Sequence, residues 1–257
     1  MIAGKTVCLM YHELELPGRG LCQSEPGYVR YIVSIEDFRR QLQSLRQANL
    51  PGISVTQMLS GQRGVALTFD DGCETDLLAA APLLEEFGYG ATFYITTGFS
   101  EMPGYLTHQQ IRTLGSYGFD IGCHSITHPY LTDLDEAGLR REVAEAKESL
   151  EQIAAVKVDH FSCPGGRWDR RVAEVARNAG YASVATSRTG TNSSSTDPFC
   201  LARIAVMRGS PIADFQRMVA GRGLWPIQMR EATRSAVRNV MGNAVYDKLR
   251  SLLLKDA

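Results

Sequence analysis

The sequence predicts an α/β fold, because seven short apolar runs have the character of strands and most of them are separated by a helical pattern. That alternation implies parallel strands joined by right-handed crossovers. Seven such units close more naturally into a barrel than into an open sheet, although the alternation alone is compatible with both. In a barrel of this kind, functional residues lie at the rim formed by the carboxyl ends of the strands.

Length and composition limit the class of protein. The 257 residues are enough for one large α/β domain or two small ones. Hydrophobic residues make up 44% of the chain and charged residues 21%, which is typical of a soluble globular protein. The net charge of −1 argues against nucleic acid as the main partner. With no signal peptide and no apolar run of about 18 residues, we expect no transmembrane segment and a cytoplasmic protein, at most peripheral at the inner membrane face.

The six cysteines are scattered and form no CxxC pair, so we expect reduced thiols. Cys73, Cys123 and Cys163 lie beside the strand ends that carry the motifs below. The favoured interpretation is that they are small apolar fillers, and the alternative is that a thiolate binds a metal.

The elements follow from apolar periodicity and from turn residues. Strands are predicted at residues 6–11, 65–70, 91–96, 119–124, 158–163, 182–186 and 202–206. Helices are predicted to begin near Ile35, with Ser34 as N-cap, and to cover 74–87, 107–117, 134–153, with Thr132 as N-cap, and 169–179. Residues 14–31 contain two prolines and three glycines and should form a long loop, which in a compact domain is often functional.

The C-terminal segment has a different character, so we divide the chain into a barrel (1–220) and a helical extension (221–257). From Pro226 to Lys255 the apolar residues keep helical spacing, and three arginines lie four residues apart on another face. Gly242 is a candidate break within this amphipathic helix. The helix either packs on the barrel or makes peripheral contact with an anionic membrane or a synthase partner.

Two adjacent acids, Asp70 and Asp71, end the strand at 65–70. Buried carboxylates must be paired, hydrogen-bonded or bound to a metal. His124 and His128 follow another strand end, four residues apart, and this spacing lets two imidazoles bind one ion. Two histidines and a carboxylate are a standard ligand set for catalytic Zn²⁺. We therefore predict Asp71, His124 and His128 as metal ligands and Asp70 as the base; alternatively, Asp71 caps a helix and the histidines are surface residues.

Pro164, Gly165 and Gly166 follow a further strand. Two glycines allow the backbone to direct N–H groups at a developing oxyanion, and a plain tight turn is the alternative.

These residues together resemble a known family. Three motifs, Thr68-Phe69-Asp70-Asp71-Gly72, His124-Ser125-x-x-His128-Pro129 and Phe161-Ser162-Cys163-Pro164-Gly165-Gly166, are similar in order to those of polysaccharide deacetylases, the NodB-homology or carbohydrate esterase family 4 group. The resemblance covers about residues 5–210. It implies a distorted (β/α)7 barrel, a divalent metal and hydrolysis of the N-acetyl group of a sugar, usually N-acetylglucosamine. The metal is most often Zn²⁺, with Co²⁺, Ni²⁺ or Mn²⁺ as alternatives.

Carried over residue by residue, the resemblance assigns Asp70 as the base. It assigns Asp71, His124 and His128 as metal ligands and the Gly165 N–H as the oxyanion donor. The loop Pro164, Gly165, Gly166, Arg167 and Trp168 would bind the substrate. Trp168 could stack on a sugar face or pack against a helix, with equal weight.

Two departures from the family pattern change the expected site. Ser162 stands where the family often has an arginine that tunes the base, and Arg203 or Arg167 are the candidates to replace it. The late Leu-x-His motif, which supplies the catalytic acid, is also missing. The opening Tyr11-His12 resembles the branch that includes the poly-N-acetylglucosamine deacetylases, where the barrel is circularly permuted.

We therefore predict His12 as the general acid, because histidine donates a proton near neutral pH. The alternative is a histidine that is only hydrogen-bonded within the loop. Two further histidines are not assigned to the site. We expect His160, inside a strand, to be structural and His108 to be exposed.

The predicted function is metal-dependent deacetylation of an N-acetylated oligo- or polysaccharide, for which a lipid-linked or nascent exopolysaccharide unit is our candidate. One alternative is a barrel that binds saccharide or a synthase without turnover. Another is a related hydrolase that cleaves the C–N bond of a small amide.

Overall fold

The computed structural model describes residues 4–241, and the side chains of its last helix up to residue 233. Seven of the eight strands of the main sheet follow one another side by side: β1 (Cys8–Tyr11), β2 (Val65–Phe69), β3 (Thr92–Ile95), β4 (Asp120–Cys123), β5 (His160–Ser162), β6 (Ser183–Ala185) and β7 (Ile204–Ala205). Their order is β6-β5-β4-β3-β2-β1-β7, and all neighbours are parallel. The sheet curls until Leu201, just before β7, bridges Ala185 of β6. The α/β fold with a curled parallel sheet is as the sequence predicts.

Short strands complete the sheet structure. Gly52–Ile53 is an eighth strand of the main sheet and pairs with the start of β2. Leu14–Glu15 pairs with Val33–Ser34, and Lys5–Thr6 pairs with Asn192–Ser193.

Most helices lie between these strands, and the last two follow β7. The helices are α1 (Pro26–Val29), α2 (Ile35–Gln47), α3 (Val55–Leu59), α4 (Ala81–Phe87), α5 (His108–Ser116), α6 (Glu136–Arg140), α7 (Ala146–Ala154), α8 (Arg170–Asn178), α9 (Ile212–Val219) and α10 (Trp225–Met241). A π-helical turn, Asp76–Ala80, precedes α4, and another, Arg141–Glu145, joins α6 to α7.

Each barrel strand has one apolar face and one smaller or polar face. Leu67 and Phe69 of β2 belong to the large core, whereas Thr68 between them donates to the Leu9 carbonyl and accepts from Arg203. Since successive side chains of a strand point to opposite faces, Asp70 continues the Thr68 face at the end of β2. Five aromatic rings run through the large core with consecutive centroids 4.9–5.4 Å apart: Phe38, Tyr11, Phe69, Phe93 and Phe119.

Several element boundaries differ from the prediction. Thr132 does not cap the long helix: it lies in the short 3₁₀ turn Leu131–Asp133, and Asp135 caps α6 by accepting from the Gly138 N–H. The predicted strands are one to three residues too long, because backbone pairing ends before the apolar pattern does. The long loop contains the short helix α1. Ser34 does cap α2, accepting from the Asp37 N–H at 3.1 Å.

The extension begins with α10, which contacts the loop after β6. Glu231 accepts from the Thr189 N–H at 2.9 Å and from its hydroxyl, and the Gln228 amide donates to the Thr189 carbonyl at 3.0 Å. Residues 242–257, and with them the predicted break at Gly242, lie outside the described residues. The predicted membrane or synthase contact depends largely on that segment and stays a prediction. Within residues 4–241, none of the helices combines the length and apolar character that crossing a bilayer requires.

Candidate active site

The structure brings Asp71, His124 and His128 together at the carboxyl-end rim of the barrel. Asp71 follows β2, and the two histidines follow β4. One ligand atom from each residue lies within 4.8 Å of the other two. The Asp71 Oδ1 atom is 3.5 Å from Nε2 of both histidines.

A hydrogen bond at Nδ1 fixes the orientation of the His124 ring. Its Nδ1 atom lies 2.8 Å from the Ser162 carbonyl oxygen, which can only accept, so Nδ1 carries the proton. The Nε2 atom therefore presents a lone pair toward Asp71, as a metal ligand requires. Burial lowers the pKa of His124 to about 3 and also lowers the pKa of His128, so both imidazoles are neutral near pH 7.

The Asp71 carboxyl is also suited to bind a cation. Its Oδ1 atom is buried without a hydrogen-bond partner, although it faces two neutral imidazoles. Burial, together with the neighbouring Asp70 charge, raises the pKa of Asp71 to about 6. A carboxylate oxygen without a hydrogen-bond partner, 3.5 Å from two imidazole nitrogens, fits a divalent ion of the Zn²⁺ class.

Asp70 is held by a buried guanidinium. Arg203 Nη1 and Nη2 donate to its two carboxylate oxygens at 2.7 and 2.8 Å. The Ser162 hydroxyl donates to Asp70 Oδ2 at 3.2 Å and accepts from Arg203 Nη2 at 2.8 Å. Although burial alone would raise the pKa of Asp70, the charge and hydrogen bonds of Arg203 hold it below its usual value. Asp70 is therefore ionised at neutral pH, and its Oδ2 atom lies 3.9 Å from His124 Nε2.

Of the two arginines that could replace the family arginine, it is Arg203 that contacts Asp70. Arg167 is buried with its guanidinium carbon 3.5 Å from the centre of the Tyr130 ring. Tyr130 is thus close to both Arg167 and Gly165.

The turn Pro164–Gly166 follows β5 at the same rim. Gly165 and Gly166 have φ angles of 58° and 65°, in the left-handed region that favours glycine. A Cβ atom on Gly165 would lie 2.7 Å from the Tyr130 ring, and one on Gly166 would collide with Ser187. The Gly166 N–H donates to the Cys163 carbonyl at 2.8 Å and closes the turn. The predicted oxyanion donor is therefore the Gly165 N–H.

Trp168 takes the packing role that the sequence left open beside sugar stacking. Its indole N–H donates to the Phe199 carbonyl at 2.8 Å, and its partly buried ring packs against the large core.

His12 lies at the end of β1 on the same rim. Its ring centroid is 5.1 Å from that of Tyr31 and 6.5 Å from that of Tyr28. Its Nδ1 atom is buried without a hydrogen-bond partner. A protonated His12 would favour the ionised form of both Asp70 and Asp71. The imidazole is thus near both acids, with one nitrogen not used by the fold.

The remaining histidines lie away from this site. His160 is buried, with Nε2 2.8 Å from the Thr56 hydroxyl and Nδ1 2.9 Å from the Ser183 hydroxyl, as expected of a structural histidine. His108, at the start of α5, is half-buried, with 44% of its side chain exposed.

Sequence reasoning missed Glu142, which supports the loop carrying His128. The buried Glu142 carboxylate accepts from the Ile126 and Thr127 N–H groups at 2.9 and 2.8 Å and from the Thr127 hydroxyl at 2.8 Å. An acid within the apolar stripe of a helix, next to Val143, was the available signal.

Comparisons with known proteins agree on one family. The polysaccharide deacetylase family model matches residues 59–184. A chitooligosaccharide deacetylase of Bradyrhizobium sp. (strain ANU 289) is 30% identical over 132 residues, which span 49% of this chain and 57% of that protein. The chain thus aligns with little more than half of that relative.

Solved structures share the fold. The Streptococcus pyogenes deacetylase PplD in complex with acetate has 22% identity and a TM-score of 0.74, covering 84% of this chain and 98% of PplD. IcaB from Ammonifex degensii has 23% identity and a TM-score of 0.71, covering 84% and 96%. The barrel therefore shares the fold of these deacetylases, and its residues 59–184, which carry all three motifs, belong to the polysaccharide deacetylase family.

Proposed function

We propose that this protein is a metal-dependent hydrolase that removes the N-acetyl group from an N-acetylated saccharide, with a glucosamine-type unit as substrate. The observation that carries the proposal is the convergence of Asp71, His124 and His128 within 4.8 Å, beside the ionised Asp70. A hydrolase needs an activated water, a base and an oxyanion donor at one point, and this rim offers candidates for each.

Asp71, His124 and His128 would hold the metal. One carboxylate and two neutral imidazoles favour Zn²⁺, with Co²⁺, Ni²⁺ or Mn²⁺ as substitutes, and leave positions for water and substrate. When bound, such an ion acidifies water and polarises the acetamide carbonyl.

The chain's own groups supply the proton transfers. Asp70 accepts the proton of the attacking water, and Arg203 and Ser162 keep its carboxylate ionised and oriented. The Gly165 N–H donates a hydrogen bond to the oxyanion as it develops. His12 then gives a proton to the leaving amine, so that a neutral amine departs.

The test is acetate release by the purified chain, supplied with Zn²⁺ or Co²⁺, from a panel of N- and O-acetylated saccharides and small acetamides. We expect release from N-acetylglucosamine oligomers. Asp70→Asn should lower kcat by about 10²-fold or more while metal content stays unchanged. An unchanged rate contradicts the assignment of Asp70 as base. Metal uptake without release from any saccharide contradicts the proposal and favours a binding-only barrel; release from small acetamides alone favours the amide hydrolase.

The same assay tests His12 when it compares a substrate whose leaving group needs a proton with one whose leaving group does not. His12→Ala should cost at least about tenfold on an N-acetylated sugar, because the amine needs a proton to leave. The loss should be much smaller on an acetate ester of a phenol with a low pKa, which leaves without protonation. An equal loss on both substrates would show that His12 is not the general acid.

A further inference from the structure

A second cluster of ligand-type side chains lies beside the candidate active site. One atom each of Glu13, Cys22 and Cys73 lies within 4.8 Å of the other two. The cluster joins three separate segments: Glu13 just after β1, Cys22 in the loop that follows, and Cys73 two residues after Asp71. We propose that Glu13, Cys22 and Cys73 form a second, structural Zn²⁺ site.

The donor set decides the metal class. Two thiolates select a soft or borderline ion, and an added carboxylate favours Zn²⁺ over Cu⁺. Tetrahedral Zn²⁺ with bonds of about 2.0–2.3 Å places its ligand atoms about 3.5–4 Å apart. The observed cluster, within 4.8 Å, needs only a small contraction. On binding, the two thiols each release a proton to solvent.

A buried acid next to the cluster indicates missing positive charge. Asp76 is 0% exposed, and neither of its carboxyl oxygens has a hydrogen-bond partner. It follows Cys73 closely, with its N–H donating to the Cys73 carbonyl at 2.9 Å, and it interacts electrostatically with Cys22 and Glu13. A buried carboxyl without a partner is costly, and a divalent cation at the cluster would offset that cost.

The candidate ligands are already held by other groups. Glu13 accepts from the Cys22 N–H at 2.9 Å and from Arg19 at 2.9 Å. The Cys22 thiol donates to the Gly104 carbonyl at 3.0 Å, and the Tyr28 hydroxyl lies 3.2 Å from Cys73 Sγ. Such outer contacts orient ligands in metal sites. A carboxylate has about four acceptor positions, so Glu13 keeps one for a metal beside these partners.

The site would fasten the long loop to the turn that carries Asp71. Cys73 lies in that turn, whereas Glu13 and Cys22 belong to the segment leading to α1. The ion would thus stabilise one side of the rim without taking part in the reaction. The proposal stands whether or not the chain deacetylates a saccharide.

The experiment relies on the thiolates of Cys22 and Cys73 to distinguish the two sites. The first site, Asp71, His124 and His128, contains no thiolate. The full chain is reduced, reconstituted with Zn²⁺ for metal counting by mass spectrometry, and reconstituted with Co²⁺ for absorption spectroscopy. We expect about two equivalents of metal and a thiolate-to-cobalt charge-transfer band. Cys22→Ser should bind about one equivalent and lose most of the band, and His128→Ala should bind about one and keep it.

The half-buried Cys200 provides the matched control, because it lies outside both clusters. Cys200→Ser should keep both equivalents and the full band. The absence of a thiolate band, or a band unchanged in Cys22→Ser, would each overturn the proposal. A Cys22–Cys73 disulfide that the reducing agent fails to cleave in the native protein would also overturn the proposal. Cys22→Ala repeats the test should serine itself bind metal.

Discussion

At the scale of single residues, the Arg203 guanidinium is fully satisfied inside the barrel. Its N–H groups donate to the Thr186 carbonyl, the Thr68 hydroxyl, both oxygens of Asp70 and the Ser162 hydroxyl, at 2.7–3.2 Å. Five hydrogen bonds match the five N–H donors of arginine. A buried cation in such a fork fixes the position of the Asp70 carboxylate as well as its charge.

Arg203→Lys tests that positioning. Lysine keeps the positive charge but offers a point charge instead of a planar fork, so Asp70 should remain ionised and lose its fixed orientation. We expect kcat to fall at least about tenfold, with metal content and KM nearly unchanged, because only the base is displaced. The measurement is steady-state acetate release together with metal analysis.

Arg208→Lys is the matched control for that substitution. Arg208 also pairs with a carboxylate, its Nη2 atom donating to both oxygens of Glu15 at 2.9 and 2.7 Å, but its side chain is 41% exposed. A surface pair of this kind contributes at most about 1 kcal/mol, so the control should keep the wild-type rate. A wild-type rate in Arg203→Lys would contradict the positioning role.

The acids and histidines of the rim could be identified from sequence because each directly follows a strand or lies in the turn after it. Arg203 could be named only as one of two candidates. It is separated from Asp70 by 133 positions, and its contact depends on β7 pairing with β1. The roles of Ser162 and Glu142 depend on packing between elements, which no local pattern encodes.

At the scale of elements, the loop after β4 holds its shape through Glu142. Ser125 and His128 have φ angles of 71° and 59°, a conformation that costs free energy outside glycine. The Glu142 carboxylate, in the π-helical turn between α6 and α7, binds two N–H groups and one hydroxyl of that loop. The strain at His128 is therefore offset by charge-assisted hydrogen bonds from a helix.

Glu142→Ala should weaken metal binding at the first site by about 10–100-fold, because the loop that places His128 loses its anchor. Glu142→Gln keeps an acceptor for the N–H groups and should restore most of that affinity. The measurement is a competition titration with a metal chelator. The exposed Glu145, three residues further on, is the control, and its alanine variant should bind as the wild type does. Equal affinity in Glu142→Ala and the wild type would contradict the prediction.

The same region shows why element boundaries were harder to predict than their order. The prediction names Thr132 as the N-cap, but Asp135, another residue type that suits an N-cap, takes that position. Packing of the buried Leu131 in a separate 3₁₀ turn leaves Asp135 as the cap of α6. The π-helical turn that positions Glu142 has no sequence pattern of its own.

At the scale of the whole molecule, the barrel places its polar residues at two ends. The rim of strand carboxyl ends carries the candidate active site. Near the opposite end, at the start of β5, the buried His160 links the Thr56 hydroxyl to the Ser183 hydroxyl and lies 3.6 Å from Asp120. A cavity of about 170 Å³ borders this group. The rim can thus serve chemistry while the other end ties strands together.

His160 makes the stability of the fold depend on pH. Burial lowers its pKa below the ordinary 6.5, in spite of Asp120 and Asp159, so the folded chain binds fewer protons there than the unfolded chain. Its contribution to stability is complete above about pH 6.5 and is lost as the pH falls from there toward the folded pKa.

His160→Asn should therefore be less stable than the wild type at about pH 7.5, because the hydrogen bonds to Thr56 and Ser183 are impaired, and the deficit should shrink toward about pH 5.5. The difference can change by up to about 1.4 kcal/mol per pH unit within that window. Urea unfolding at a series of pH values, with chelator present throughout, measures it. His108→Asn, which removes a histidine away from this group with 44% of its side chain exposed, is the control. A stability deficit in His160→Asn that stays constant across the window would contradict the prediction. It would mean that His160 gains its proton over the same pH range in the folded and in the unfolded chain.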